Sequence, residues 1–161
     1  MAHIKQNDSR CIPAMQKIGC FLRSCGLIAE LRTGRKLTAE QINALWAWGK
    51  EARRIDENDN VKDSASIATR ALRMLGDGGR FVEVGTFKDG VATYYPSVRG
   101  TGFARADALI QKIRQGGQSV THFRVVDARG NLIEDPHEPP IQPRGIFYTI
   151  LYAYIPGKGE A

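Results

Sequence analysis

The chain has 161 residues, enough for one domain with its own core, and its 42% hydrophobic and 25% charged residues exclude a disordered or fibrous protein. No apolar run approaches the roughly 18 residues of a membrane span, and three cysteines, an odd number, argue against a disulfide framework. The net charge of +6 suits an anionic partner such as a bacterial wall polymer, but Lys and Arg are scattered without interleaved aromatics, which argues against specific nucleic-acid binding.

The N-terminal residues lack the apolar core of a secretory signal, so a cytoplasmic location is expected, with no membrane partner. The first strongly patterned segment runs from Cys20 to Leu31. Its apolar positions recur at helical spacing with Arg23 and Glu30 falling elsewhere, and Gly34 follows as a C-terminal cap. Thr38 and Gln41 have the spacing of a capping box and open a second helix to about Arg54. A third is expected from Ser64 to Leu75, stopped by the glycines at 76, 78 and 79. The period then changes. Arg80–Phe87 alternates like a strand, Lys88–Gly90 is a turn, and Val91–Tyr95 can pair back. Ala106, Leu109, Ile110 and Ile113 suggest a fourth helix over Phe103–Gln115, ended by Gly116 and Gly117. Strands are expected at Ser119–Asp127, Asn131–Asp135 and, after a proline-rich stretch, Gly145–Ile155. Helices first and antiparallel strands later, without repeats, make this a single α+β domain spanning residues 1–161.

Among the three cysteines, Cys20 is the one with a chemical setting. A thiol is a useful nucleophile as its anion, and a helix N-terminus or a neighbouring imidazolium favours that form. Cys20 follows Gly19 at the start of the first buried helix, whereas Cys25 lies inside it and Cys11 precedes it. A zinc site would need four ligands, and no Cys-x-x-Cys or paired-histidine spacing supplies them, so neither metal nor cofactor is expected.

The partner for Cys20 comes from the late hairpin. With a turn at Arg129–Gly130, pairing sets Arg124 opposite Asp135 and leaves His122 one step along on the same face. His122 and Asp135 are then diagonal neighbours within side-chain reach. Side chains alternate with period two, so an odd loop or a bulge would break this arrangement. An imidazole that takes a proton from a thiol needs its other nitrogen held by an acceptor, the part that suits Asp135. Alone, each residue has a plainer reading: packing for Cys20, a half-buried strand histidine for His122, a turn before Pro136 for Asp135. His137, among prolines, and His3, in a terminal segment, are weaker candidates for the base.

Gln6-Asn-Asp-Ser, Ile18-Gly-Cys20, Thr121-His-Phe-Arg-Val-Val-Asp127 and Asp135-Pro136 together resemble the C39-like branch of the papain-like cysteine peptidases, found in bacteria and bacteriophages. The matching segments run in order along nearly the whole chain, with no family motif between about 35 and 115. The resemblance implies a papain-like fold, with N-terminal helices packed on an antiparallel sheet, and a thiol hydrolase acting on a protein, peptide or peptidoglycan peptide. It implies Cys20 as nucleophile, His122 as base and then acid, Asp135 as orienting group, and Gln6 as an oxyanion donor, with Gln16 as the rival for that last role. Relatives commonly carry Cys-Gly-Pro at the nucleophile, where this chain has Cys20-Phe21-Leu22, which detaches the reaction from any one substrate. The same residues would also serve a transglutaminase-like acyl transfer, and a silent binding or virion assembly module is the non-enzymatic alternative. A phage origin would place the chain in a host cytoplasm or a virion.

Overall fold

The computed structural model describes residues 2–115 and 121–157, within which four helices precede six strands. The helices are α1 (Pro13–Ile18), α2 (Cys20–Thr33), α3 (Ala39–Glu51) and α4 (Ser64–Met74). The strands are β1 (Arg80–Lys88), β2 (Val91–Tyr94), β3 (Ala108–Gln115), β4 (Thr121–Val126), β5 (Leu132–Glu134) and β6 (Pro143–Ile155). They form one antiparallel sheet in the order β2-β1-β6-β3-β4-β5. The α+β class is therefore as expected from the sequence, with an additional short helix, α1, which opens on Pro13 and was not expected.

Local chemistry explains most boundaries. Gly34 takes a left-handed φ of 71° and donates its N–H to Glu30, closing α2. At α3, Gln41 N–H donates to the Thr38 hydroxyl and the Gln41 side chain accepts from Thr38 N–H, the reciprocal capping box. Asp63 caps α4 by accepting from Ser66 N–H at 3.1 Å. The β1–β2 turn holds Asp89 and Gly90 at φ of 51° and 78°, the left-handed pair that a two-residue hairpin turn requires.

The sheet has an apolar cluster on each face. Ile150, Tyr152 and Tyr154 of β6 join Phe81, Ile110 and Val125 beneath the helices, while Leu151 and Ala153, at alternate positions, meet Val84 and Val98. α2 is wedged between α4 and β4, and every residue from Leu22 to Glu30 is buried. One expectation fails here. Residues 103–115 are not a helix: Phe103 lies in a connecting segment, and β3 begins at Ala108. β3 is central, paired with β4 and β6, and Leu109, Ile110, Gln111 and Ile113 are buried or half-buried across both faces, so no alternation shows. Its apolar spacing fits a helix equally well, and sheet pairing decides. Arg23 and Glu30, off the apolar spacing of α2, are buried as well. They form an ion pair with both side chains fully buried. The expected strand start at Ser119 and stop at Gly116–Gly117 lie outside the described residues.

Candidate active site

α2 and the β4–β5 hairpin supply the reactive groups. β4 pairs with β5 as Val126↔Leu132 and Val125↔Glu134, so Ile133 is an extra residue, a bulge. The turn is not Arg129–Gly130: Asp127 N–H donates to Asn131 O at 2.9 Å, leaving a loop of residues 128–130 with Gly130 at φ 82°. An odd loop and a one-residue bulge each reverse the phase, and together they restore it. Beyond the bulge the register sets Arg124 against Asp135, and His122 comes onto the same side.

His122 Nε2 and Asp135 Oδ1 are 2.8 Å apart, and both residues are buried. Asp135 also accepts from the backbone N–H groups of His137 (2.8 Å to Oδ1) and Ile141 (3.0 Å to Oδ2). The residue thus makes the turn contact usual for Asp before Pro while it holds the imidazole. Burial pushes the Asp135 carboxyl up, but the His122 bond and these two N–H groups outweigh it, and its pKa is lowered.

Cys20, the first residue of α2, has a free thiol and is partly exposed. At the start of α2, Arg23 N–H donates to Gly19 O at 2.8 Å. Cys20 lines the same cleft as His122, whose Nε2 is held by Asp135. Burial lowers the His122 pKa, but hydrogen bonds to Asp135 and Cys20 and their charges push it up to about 9. Phe21 and Phe123, which follow Cys20 and His122, stack at 4.0 Å between centroids and 8° between planes. That stack ties the helix start to the histidine strand.

Gln6, Cys20 and His122 line one cleft of about 500 Å³. Gln6 is anchored there by its backbone N–H to Pro136 O at 2.6 Å; its side chain is buried, and Oε1 meets no partner among the described residues. Gln16 also lines the cleft, but its amide donates to Cys11 O at 2.7 Å. The segment carrying Gln6 is latched at several points. Lys5 pairs with Glu134 at 2.6 Å, Asn7 and Glu138 exchange two hydrogen bonds, and Arg23 Nε donates to Ile4 O at 2.6 Å.

The competing residues separate. Cys25 and Cys11 are buried and burial pushes both thiols up, so neither has the setting of a nucleophile. His3 sits at 3.0 Å from Glu30, in the buried Arg23 network rather than the cleft. His137 does reach the cleft, with its ring edge-on to His122 at 6.4 Å, which the surrounding prolines concealed at the sequence level. The opposite wall, Asn58 to Val61, is also illegible in the sequence; Asp56 Oδ1 holds it by accepting from Asn58 and Asn60 N–H at 2.9 Å each. Among the described residues no group of three or more His, Cys, Asp or Glu side chains is placed to hold a metal, and no helix is long and apolar enough to cross a membrane. No family model matches this chain, and no curated protein or solved structure is significantly similar to it.

Proposed function

We propose that the chain is a thiol-dependent hydrolase of the papain-like kind that cleaves a peptide or amide bond through an acyl-enzyme on Cys20. The observation that carries this reading is the His122–Asp135 pair at 2.8 Å beside a cleft that His122 lines together with Cys20 at the start of α2. An imidazolium beside a sulfur is the setting in which a thiol gives up its proton. The sulfur adds to the carbonyl carbon, the carbonyl oxygen takes the negative charge, and His122 returns the proton to the departing amine. Water, deprotonated by His122, then releases the acid from the thioester and regenerates the thiol. This reading assigns the oxyanion to the Cys20 backbone N–H and the Gln6 amide. A protein or a peptidoglycan peptide is the substrate class proposed, and no cofactor enters the cycle.

Iodoacetamide followed by peptide mapping tests the site without knowledge of the substrate. Cys20 is expected to be alkylated well ahead of Cys11 and Cys25, and His122→Ala to slow its labelling by roughly 10²-fold, in line with loss of an activating base. Equal labelling of the three cysteines, or indifference to His122→Ala, would overturn the proposal. Cys20→Ala must also abolish hydrolysis across a fluorogenic peptide panel that the wild type turns over.

A further inference from the structure

A second recess of about 500 Å³ lies between α4 and β1, walled by Trp48 from α3, and four arginines line it: Arg54, Arg70, Arg73 and Arg80. They are not close neighbours in the chain, but α4 sets Arg70 and Arg73 one turn apart and β1 brings Arg80 to them. The bond from Phe81 N–H to the Thr69 hydroxyl, at 3.0 Å, fixes helix to strand there. Two carboxylates share the recess and both are engaged elsewhere. Asp63 is 3.4 Å from Arg54 and caps α4 through Ser66, and Glu83 accepts from the Tyr95 hydroxyl. Among the described residues Arg70, Arg73 and Arg80 have no carboxylate partner. Arg70 lies over the Trp48 ring at 5.4 Å, and its Nε is buried with no acceptor.

A buried guanidinium N–H without an acceptor is costly, and three unpaired guanidinium groups in one recess repel each other. A bound anion offsets both. The class of anion follows from the number of donors. One carboxylate satisfies one guanidinium fork, whereas a phosphate offers three oxygens and a chain of phosphates carries charge enough for several arginines. We infer that this recess is a binding site for a small phosphate-bearing ligand, distinct from the Cys20 cleft and independent of whether that cleft is catalytic.

Isothermal titration calorimetry of the full chain with tripolyphosphate, at physiological ionic strength, tests this. Saturable binding of one tripolyphosphate per chain is expected, with acetate, a single carboxylate, as the comparison at least tenfold weaker. Arg70→Gln and Arg73→Gln should each weaken binding roughly tenfold. Arg129→Gln, in the distant β4–β5 turn, and Cys20→Ala should leave it unchanged. Should Arg70→Gln fail to fold, the exposed pair Arg73→Gln and Arg80→Gln decides. Absence of saturable binding, acetate binding as well as tripolyphosphate, or an equal loss in Arg129→Gln would overturn the inference, the last by showing diffuse charge attraction alone.

Discussion

Burial by itself makes His122 a weaker base, because an imidazolium taken out of water loses its solvation, yet Asp135 and Cys20 reverse that balance and carry the pKa from 6.5 to about 9. The consequence is measurable on the ring. A proton NMR titration should give a His122 midpoint near 9, moved to lower pH by Asp135→Asn and, through loss of its other partner, by Cys20→Ala. A wild-type midpoint at the ordinary 6.5 would show that the pair does not hold the proton. The linked effect on folding has a definite sign. The folded-state pKa lies above the unfolded one, so the contribution to stability is complete below about 6.5 and is lost as pH rises through about 9. Hydrolysis that depends on the imidazolium should fall along the same alkaline limb, and the limb should move to lower pH in Asp135→Asn.

Single elements show where sequence reading succeeds. α3 and α4 carry their own capping chemistry, and the glycine after α2 has the left-handed angle that only its lack of a side chain makes easy, so these boundaries were legible locally. β3 was not, because its apolar residues satisfy helical spacing and its neighbours β4 and β6, both later in the chain, decide the outcome. The placement of Arg23 and Glu30 was not legible either: a charged pair seven residues apart on a helix reads as a solvated stripe unless something covers it. Here residues 3 and 4 cover it, with His3 on Glu30 and the Ile4 carbonyl on Arg23. Removing one member strands the other charge in the core. Arg23→Met is expected to cost about 3–5 kcal/mol in urea unfolding, and Glu30→Leu in the same chain should recover most of it. An Arg23→Met variant within about 0.5 kcal/mol of the wild type would mean that the pair is solvated. The candidate site shows the same division. Cys20 could be read from the helix start and Gln6 by resemblance, but the phase joining His122 to Asp135 was read from a two-residue turn and arises instead from an odd loop and a bulge that cancel, while His137 and the Asn58–Val61 wall arise only from tertiary folding.

Across the whole molecule residues 3–7 act as a latch between the helical layer and the hairpin, through the His3–Glu30 and Ile4–Arg23 contacts on one side and the Lys5–Glu134, Gln6–Pro136 and Asn7–Glu138 contacts on the other. Truncation and point substitution separate the latch from the amide. Deleting residues 1–7 should lower stability by about 3 kcal/mol, from several bonds worth about 1 kcal/mol each. Gln6→Ala keeps the backbone bonds and should cost much less stability. Both should reduce turnover by a similar 10²–10³-fold, the usual weight of one oxyanion donor. Full turnover by Gln6→Ala would remove Gln6 from the reaction. Charge, too, reads differently at this scale. Arginines scattered in sequence are gathered by α4 and β1 into one recess, so a composition without basic runs does not describe a surface without a basic site.

The bulge at Ile133 and the loop of residues 128–130 give the hairpin something like a reading frame. Each alone is out of phase, and the pair is in phase. A change of one residue in length between His122 and Asp135 exchanges inside for outside for every residue beyond it and turns the Asp135 carboxylate away from the ring, unless a second change of one residue falls in the same interval. Length here is constrained by parity more than by size: the hairpin can grow or shrink by two and keep its chemistry, while a change of one, conservative by any measure of composition, dismantles it.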